Sequence, residues 1–169
     1  MDLTKAIDER FSCRRYLAKK ISNENLDKIL KAAIKAPNAG NLQSFRFVVV
    51  SKESLKEEIT SACLDQRWMM QAPAFIVICS DLNALKEYYP KKYELYGIQD
   101  TSLAAQNIML TAYSLKIKSC FVSSFNEKMM KRILNLKAGL EPHCVITLGY
   151  SKESKITRRK SIDIFIEKK

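Results

Sequence analysis

Arg10, Arg14 and Arg15 stand within six positions of one another in the run Arg10-Phe11-Ser12-Cys13-Arg14-Arg15-Tyr16. Guanidinium groups make charge-assisted, often bidentate hydrogen bonds, and the Ser12 hydroxyl adds one more donor, so this segment has the groups to wrap a dianionic phosphate. A basic helix C-terminus complementing the helix dipole is the other reading, and the residues alone leave both open. A second segment, Ala36-Pro37-Asn38-Ala39-Gly40-Asn41-Leu42-Gln43-Ser44-Phe45, carries two asparagines and a glutamine. Such amides suit a flat heterocycle with alternating N and C=O groups; asparagine and glycine also favour ordinary turns, which explains Gln43 less well. In a third segment, Gly97-Ile98-Gln99-Asp100 leads into a helical run where Gln106 and Asn107 interrupt apolar residues. Buried amides must be hydrogen-bonded, and a structural network between helix and sheet is the favoured reading. The fourth, Thr157-Arg158-Arg159-Lys160, fits a solvated tail or a second clamp on the same phosphate.

Other chemistries are missing. Gly40, Gly97, Gly139 and Gly149 are too scattered for a G-x-G-x-x-G or a G-x-x-x-x-G-K-[ST] phosphate loop, and no G-x-S-x-G elbow is present. One histidine, His143, cannot build a His-rich metal site, and its apolar strand context favours a hydrogen-bonded structural role. No residue is assigned as catalytic and no metal is expected. So little acid–base apparatus is what a protein needs when a cofactor carries the chemistry.

The elements that must position these groups read as follows. A short helix covers Asp2 to Arg10. Ser22 caps an amphipathic helix bearing Leu26, Ile29, Leu30, Ala33 and Ile34, which Pro37 ends. Phe45 to Val50 is a strand and Lys52 to Cys63 a helix. Ala74 to Cys79 is a buried strand, followed by a helical turn or lid from Asp81 to Tyr88. The tyrosine-rich stretch from Lys86 to Tyr96 fits no single pattern. Gln99 to Leu115 is nearly apolar all round, hence a central buried helix. Ser119 to Val122 is a strand, Asn126 caps a helix through Leu134, and His143 to Leu148 is a strand. Ile162 to Ile166 alternates like an exposed or edge strand. Interspersed helices and strands make the class α/β or α+β, with about four or five strands.

The 169 residues fit one domain, and 47% hydrophobic content allows a real core. A formal charge of +11 favours an anionic partner, unless the lysines only solvate helix faces. Five cysteines without a C-x-x-C pair suggest a reducing compartment. With no apolar signal region and no apolar run long enough to span a bilayer, a cytoplasmic location is expected.

Taken in order, these segments resemble the nitroreductase family of FMN-dependent oxidoreductases over nearly the whole chain. Arg10, Ser12 and Arg14 match its R-x-S-x-R opening, with the aromatic displaced to Tyr16. Ala36, Pro37, Asn41, Gln43 and Phe45 match its A-P-S-x-x-N-x-Q-P-[WF] loop. Asp100, Ala104, Gln106, Asn107, Leu110 and Ala112 match its D-x-x-x-A-x-Q-N-x-x-L-x-A helix, and Gly149 and Arg159 its closing strand. Phe11, Asn38, Ser44 and the Ser123-Ser124 pair depart from the usual residues. The resemblance implies an α+β, three-layer α/β/α sandwich with a mostly antiparallel sheet, a shortened lid, and an entwined homodimer whose residues 160–169 form an arm crossing to the partner. It implies FMN held by Arg10, Phe11, Ser12, Arg14, Gln66, Ser123 and Arg159, with Pro37, Asn38 and Asn41 bordering the ring of the partner's flavin. It also implies NADH or NADPH as hydride donor and a small electron acceptor such as a nitro compound or quinone. Two alternatives remain at this point: a basic non-enzymatic binding protein for nucleic acid or an acidic partner, and an FMN-binding protein without turnover. No membrane partner is expected, and without a recognisable binding motif no nucleic acid.

Overall fold

The structure is a computed structural model describing residues 2–155 and 157–169. Its sheet has four strands in the order β1-β2-β4-β3, antiparallel throughout: β1 (Phe45–Val50), β2 (Ala74–Asp81), β3 (Lys118–Val122) and β4 (Leu140–Gly149). Among the described residues six α-helices accompany it: α1 (Leu3–Glu9), α2 (Asn23–Ala33), α3 (Glu53–Ala62), α4 (Leu82–Tyr88), α5 (Tyr93–Ser114) and α6 (Glu127–Ile133).

Strand alternation sorts the apolar residues onto two faces. Ala74, Ile76 and Ile78 of β2 meet Cys144, Ile146 and Leu148 of β4 on one face, where Ile29 and Ala33 of α2 and Ala105, Ile108 and Ala112 of α5 cover them. Phe75, Val77 and Cys79 point the other way, with Val145, toward Ile59 of α3 and Met130 of α6. Both faces are covered, so the molecule is the expected three-layer α+β sandwich. The unbroken apolar run in β2 follows from that double burial rather than from parallel pairing.

The caps explain several boundaries. Ser22 accepts the Asn25 N–H, and Asn126 accepts the Met129 N–H. Asp81 caps α4 by accepting from the Ala84 N–H. The tyrosine-rich stretch resolves into the end of α4, a short turn, and the first turn of α5, which begins six residues before Gln99. β4 starts three residues earlier than His143. Pro142, which cannot donate to the ladder, sits where the register shifts between Ile78 and Cys79, and this irregularity hides the start of the strand.

Two expectations are corrected. Ile162 to Ile166 is no strand: Ile162–Phe165 form a 3-10 turn capped by Ser161, with Ile162, Ile164 and Ile166 exposed and outside the four-stranded sheet. Gln106 is exposed on α5, not buried, because it faces away from the sheet. Asn107 does bridge elements, donating from Nδ2 to the Ala32 carbonyl at 3.1 Å, but it ties α5 to α2 rather than to the sheet.

Candidate functional site

The segment after α1 runs along the outer edge of β3. Ser12 forms a parallel bridge with Ser119, and the Cys13 N–H donates to the Ser119 carbonyl at 3.0 Å. Helix α1 ends at Glu9, so a dipole role reaches Arg10 at most; Arg14 and Arg15 lie beyond it in extended chain. Tyr16 fixes the segment from beneath. Its buried hydroxyl donates to the Cys13 carbonyl at 2.7 Å and therefore accepts from Thr147 Oγ1 at 2.8 Å. Burial pushes the Tyr16 phenol well above its usual range, which keeps the hydroxyl a neutral donor. Gly149 makes room for this ring: a Cβ there would lie 2.7 Å from Tyr16 Cδ1 and 2.7 Å from Pro73 Cδ.

Between this segment and the chain after β4 lies a cleft of about 340 Å³ lined by Phe11, Ser12, Arg14, Arg15, Glu153, Ser154 and Lys155. Glu153 stands 3.7 Å from Arg15. Three cations against one carboxylate leave a net charge of +2, with two hydroxyls beside them, a donor set that fits a dianionic phosphate. Lys155 and Ser154 were not singled out from the sequence; the available signal was their place just after the β4 glycine. Phe11, in place of a second arginine, packs its ring 5.3 Å from Lys118 Nζ, which also lies 4.1 Å over Tyr113. Burial lowers the Lys118 pKa. Arg10, half-buried at the helix end, and Arg159, exposed, both lie outside the lining of the cleft.

Gln66 and Ser123 continue along the same edge. The Arg14 guanidinium lies 5.6 Å over the Trp68 ring, and Trp68 Nε1 donates to Gln66 Oε1 at 3.3 Å. The Tyr16 N–H donates to Gln71 Oε1 at 3.3 Å, so the 3-10 turn Arg67–Gln71 props the arginine segment. Leu64 and Asp65, just before Gln66, both have φ of 55°, and Leu64 is 70% exposed. Left-handed backbone at a branched apolar residue costs about 1–3 kcal/mol and clusters at functional sites. Ser123 and Ser124 are exposed past the end of β3; the Asn126 N–H beyond them donates to the Ala62 carbonyl, tying their loop to the end of α3.

The asparagine loop lies elsewhere. It enters β1 at the opposite edge of the sheet. Four inter-strand spacings separate β1 from Ser12, about 19 Å at ~4.8 Å each. The ends differ too. Phe45 pairs with Ser80, whereas Ser119 aligns through Leu148 with Ala74. Those six residues of β2 add about 20 Å, so the two segments sit at diagonal corners roughly 28 Å apart. Within the loop, Asn38 Oδ1 accepts the Gln43 N–H at 2.8 Å and its Nδ2 donates to the Ala36 carbonyl at 3.1 Å. Gly40, Asn41 and Gln43 have φ of 54°, 57° and 50°. Asp100, 3% exposed, accepts from the Ala39 N–H at 2.9 Å and from the Ser44 hydroxyl at 3.3 Å. Burial pushes its carboxyl up, and those two bonds pull it back. Pro37, Asn38 and Ala39 also line a cleft of about 670 Å³ with Tyr89, Tyr96 and Leu103.

His143 holds its expected structural place: Nε2 lies 2.7 Å from Ser80 Oγ, and burial lowers its pKa. Cys13, Cys63, Cys79, Cys120 and Cys144 are all free and buried. Among the described residues no cluster could hold a metal ion, and no helix is long and apolar enough to cross a membrane.

Comparison with known proteins joins these observations. A Thermus thermophilus protein named NADH dehydrogenase is 37% identical over 181 residues, covering 90% of this chain and 88% of that protein. An Archaeoglobus fulgidus protein, provisionally named NADH dehydrogenase/NAD(P)H nitroreductase, is 35% identical over 155 residues, covering 89% and 86%. The solved structure of the Vibrio harveyi NADPH:FMN oxidoreductase complexed with NAD+ shares the fold at a TM-score of 0.89 and 19% identity, covering 98% of this chain and 76% of that one. The sequence model of the Nitroreductase family matches residues 7–68 and 60–150, and this chain belongs to that family.

Proposed function

We propose that the protein is an FMN-dependent NAD(P)H oxidoreductase that reduces a small acceptor, such as a nitro compound or quinone, by ping-pong hydride transfer. The cationic cleft along the β3 edge carries this reading: in a chain of the nitroreductase family, it is a phosphate seat built from side chains on a buried, hydrogen-bonded base. The relatives' names, NADH dehydrogenase and NAD(P)H nitroreductase, support the reaction class, and the Vibrio harveyi name supports the cofactor. FMN bound there would supply the hydride-transfer chemistry between NADH or NADPH and the acceptor.

In this reading Ser12, Arg14 and Lys155 hold the phosphate within the cleft, with Arg10 joining from the end of α1, Arg159 from the C-terminal segment, and Phe11 fixing the backbone between Arg10 and Ser12. Gln66 and Ser123 follow along the same edge toward the ring. Pro37, Asn38 and Asn41 serve a second site. An FMN, three fused rings on a short phosphorylated chain, does not bridge diagonal corners of one sheet, so a second copy supplies the loop. Exposed apolar side chains support a homodimer: Leu3 and Ile7 on α1, and Ile162, Ile164, Phe165 and Ile166 on the 160–169 arm, which would cross to the partner. No side chain is assigned as a general acid or base; His143 is engaged by Ser80. Five unpaired thiols support a reducing, cytoplasmic setting. Anaerobic titration with NADH and then NADPH tests the proposal. The flavin absorbance bleaches with at least one of them and returns on adding a quinone. Bound flavin that stays oxidised with both contradicts it.

A further inference from the structure

We infer that Asp100 is a positioning residue that locks the ring-bordering loop from Asn38 to Ser44; its effect on the flavin rests on the FMN reading above. Three observations meet here. First, the loop is held at both its legs by one carboxylate: Oδ1 accepts from the Ala39 N–H and Oδ2 from the Ser44 hydroxyl. Second, that carboxylate is almost fully buried, and among the described residues no lysine or arginine pairs with it. The two loop donors are what hold the buried charge, so displacing the loop would strand it without compensation. Third, the loop needs holding. Three of its four residues from Gly40 to Gln43 are left-handed and only one of them is glycine. Its tip is also covered: a Cβ on Gly40 would lie 2.6 Å from the Tyr89 hydroxyl.

Ser44 gives this arrangement its second arm. Its hydroxyl donates to Oδ2 while the Ala39 N–H donates to Oδ1, so the two legs of the loop engage different oxygens of one carboxylate. α5 reaches the loop because Asp100 stands on the same buried stripe as Ala104, which packs against Ala36 and Phe45 at the two ends of the loop. The helix thereby sets the position of Asn38 and Asn41 relative to the sheet.

The test compares D100N, D100L and S44A in the purified full chain. The readouts are hydrogen exchange at the Ala39 amide, FMN affinity by absorbance titration, and kcat against KM. D100N keeps an acceptor for Ala39 and should retain FMN affinity within about threefold. D100L should speed Ala39 exchange at least tenfold and weaken FMN binding about ten- to hundredfold. S44A, which keeps the carboxylate, should raise exchange in the loop and weaken FMN binding severalfold, with KM for the acceptor shifting more than kcat. If D100L fails to fold, S44A decides: unchanged exchange from Ala39 to Ser44 overturns the inference. So does a folded D100L chain with wild-type exchange and FMN affinity, or a D100N chain as impaired as D100L. A wild-type chain that takes up no FMN fails the functional reading instead, while Ala39 exchange still decides the lock.

Discussion

Replacing Tyr16 by phenylalanine removes one oxygen from beneath the arginine segment. The ring stays, with its packing against Gly149, but the buried Cys13 carbonyl loses its donor at 2.7 Å. Thr147 loses its acceptor and can turn toward the Cys120 carbonyl at 3.4 Å, so it is the Cys13 carbonyl that is stranded. An unsatisfied buried acceptor costs about 1–3 kcal/mol. For a chain of 169 residues, each kcal/mol moves the thermal midpoint by about 2–4 °C, so a mid-range loss predicts a fall of about 4–8 °C. Calorimetry of the flavin-free protein measures it. Because the cost falls on the backbone between Ser12 and Arg14, FMN affinity should fall more than riboflavin affinity, since riboflavin has no phosphate. A Tyr16→Phe protein with an unchanged midpoint, or with equal losses for both flavins, would refute the idea that this hydroxyl shapes the phosphate seat.

Other substitutions probe separate parts of the account. Gly149→Ala forces a methyl into Tyr16 and Pro73 and should cost about 1–3 kcal/mol, read from the urea midpoint; a neutral effect would show that the ring moves freely. Arg14→Ala should weaken FMN binding about ten- to hundredfold while leaving riboflavin within a few-fold, and its FMN affinity should depend less on salt than that of the wild type. His143 is predicted to make stability pH-dependent. Its folded pKa lies below its unfolded value, so both states are neutral above about pH 6.5. As pH falls below that value, only the unfolded state gains the proton, and stability declines until the folded pKa is reached. Denaturation curves of His143→Gln between pH 7.5 and about 5 should lose that part of the slope, and an unchanged slope would place the titration elsewhere.

Much of the fold was legible because its elements carry local signals. Ser22 and Asn126 announce their helices by capping chemistry, and the β2 run announces a strand buried on both faces. What stayed hidden was non-local. Strand order, which puts Ser12 and Asn38 at opposite corners, depends on pairings between residues far apart in sequence. Pro142 masked the start of β4 by breaking the ladder, and the Ile162 to Ile166 alternation looked like a strand although the segment forms a 3-10 turn outside the sheet. In the site, the arginine cluster and asparagine loop were visible as unusual densities of donors. Lys155 was not, because one lysine among so many carries no signal until the fold brings it opposite Arg14. Asp100 was legible only as a motif match; its two loop partners, 56 and 61 residues away, appear once α5 is packed against the loop.

The central claim is that each flavin site takes its phosphate end from one chain and its asparagine loop from another. Co-expression of two defective chains tests this most directly. Arg14→Ala damages the phosphate seat, and Asn38→Ala releases the loop bonds to Gln43 and Ala36. In each homodimer every site carries one defect. In a mixed dimer one site carries both defects and the other carries neither. Random pairing makes about half of the dimers mixed, so about a quarter of the sites should bind FMN with wild-type affinity. Titration of the co-expressed material should reveal that tight-binding fraction, absent from either variant alone. If instead the mixture binds as the average of its two parents, with no tight fraction, the sites are not shared between chains.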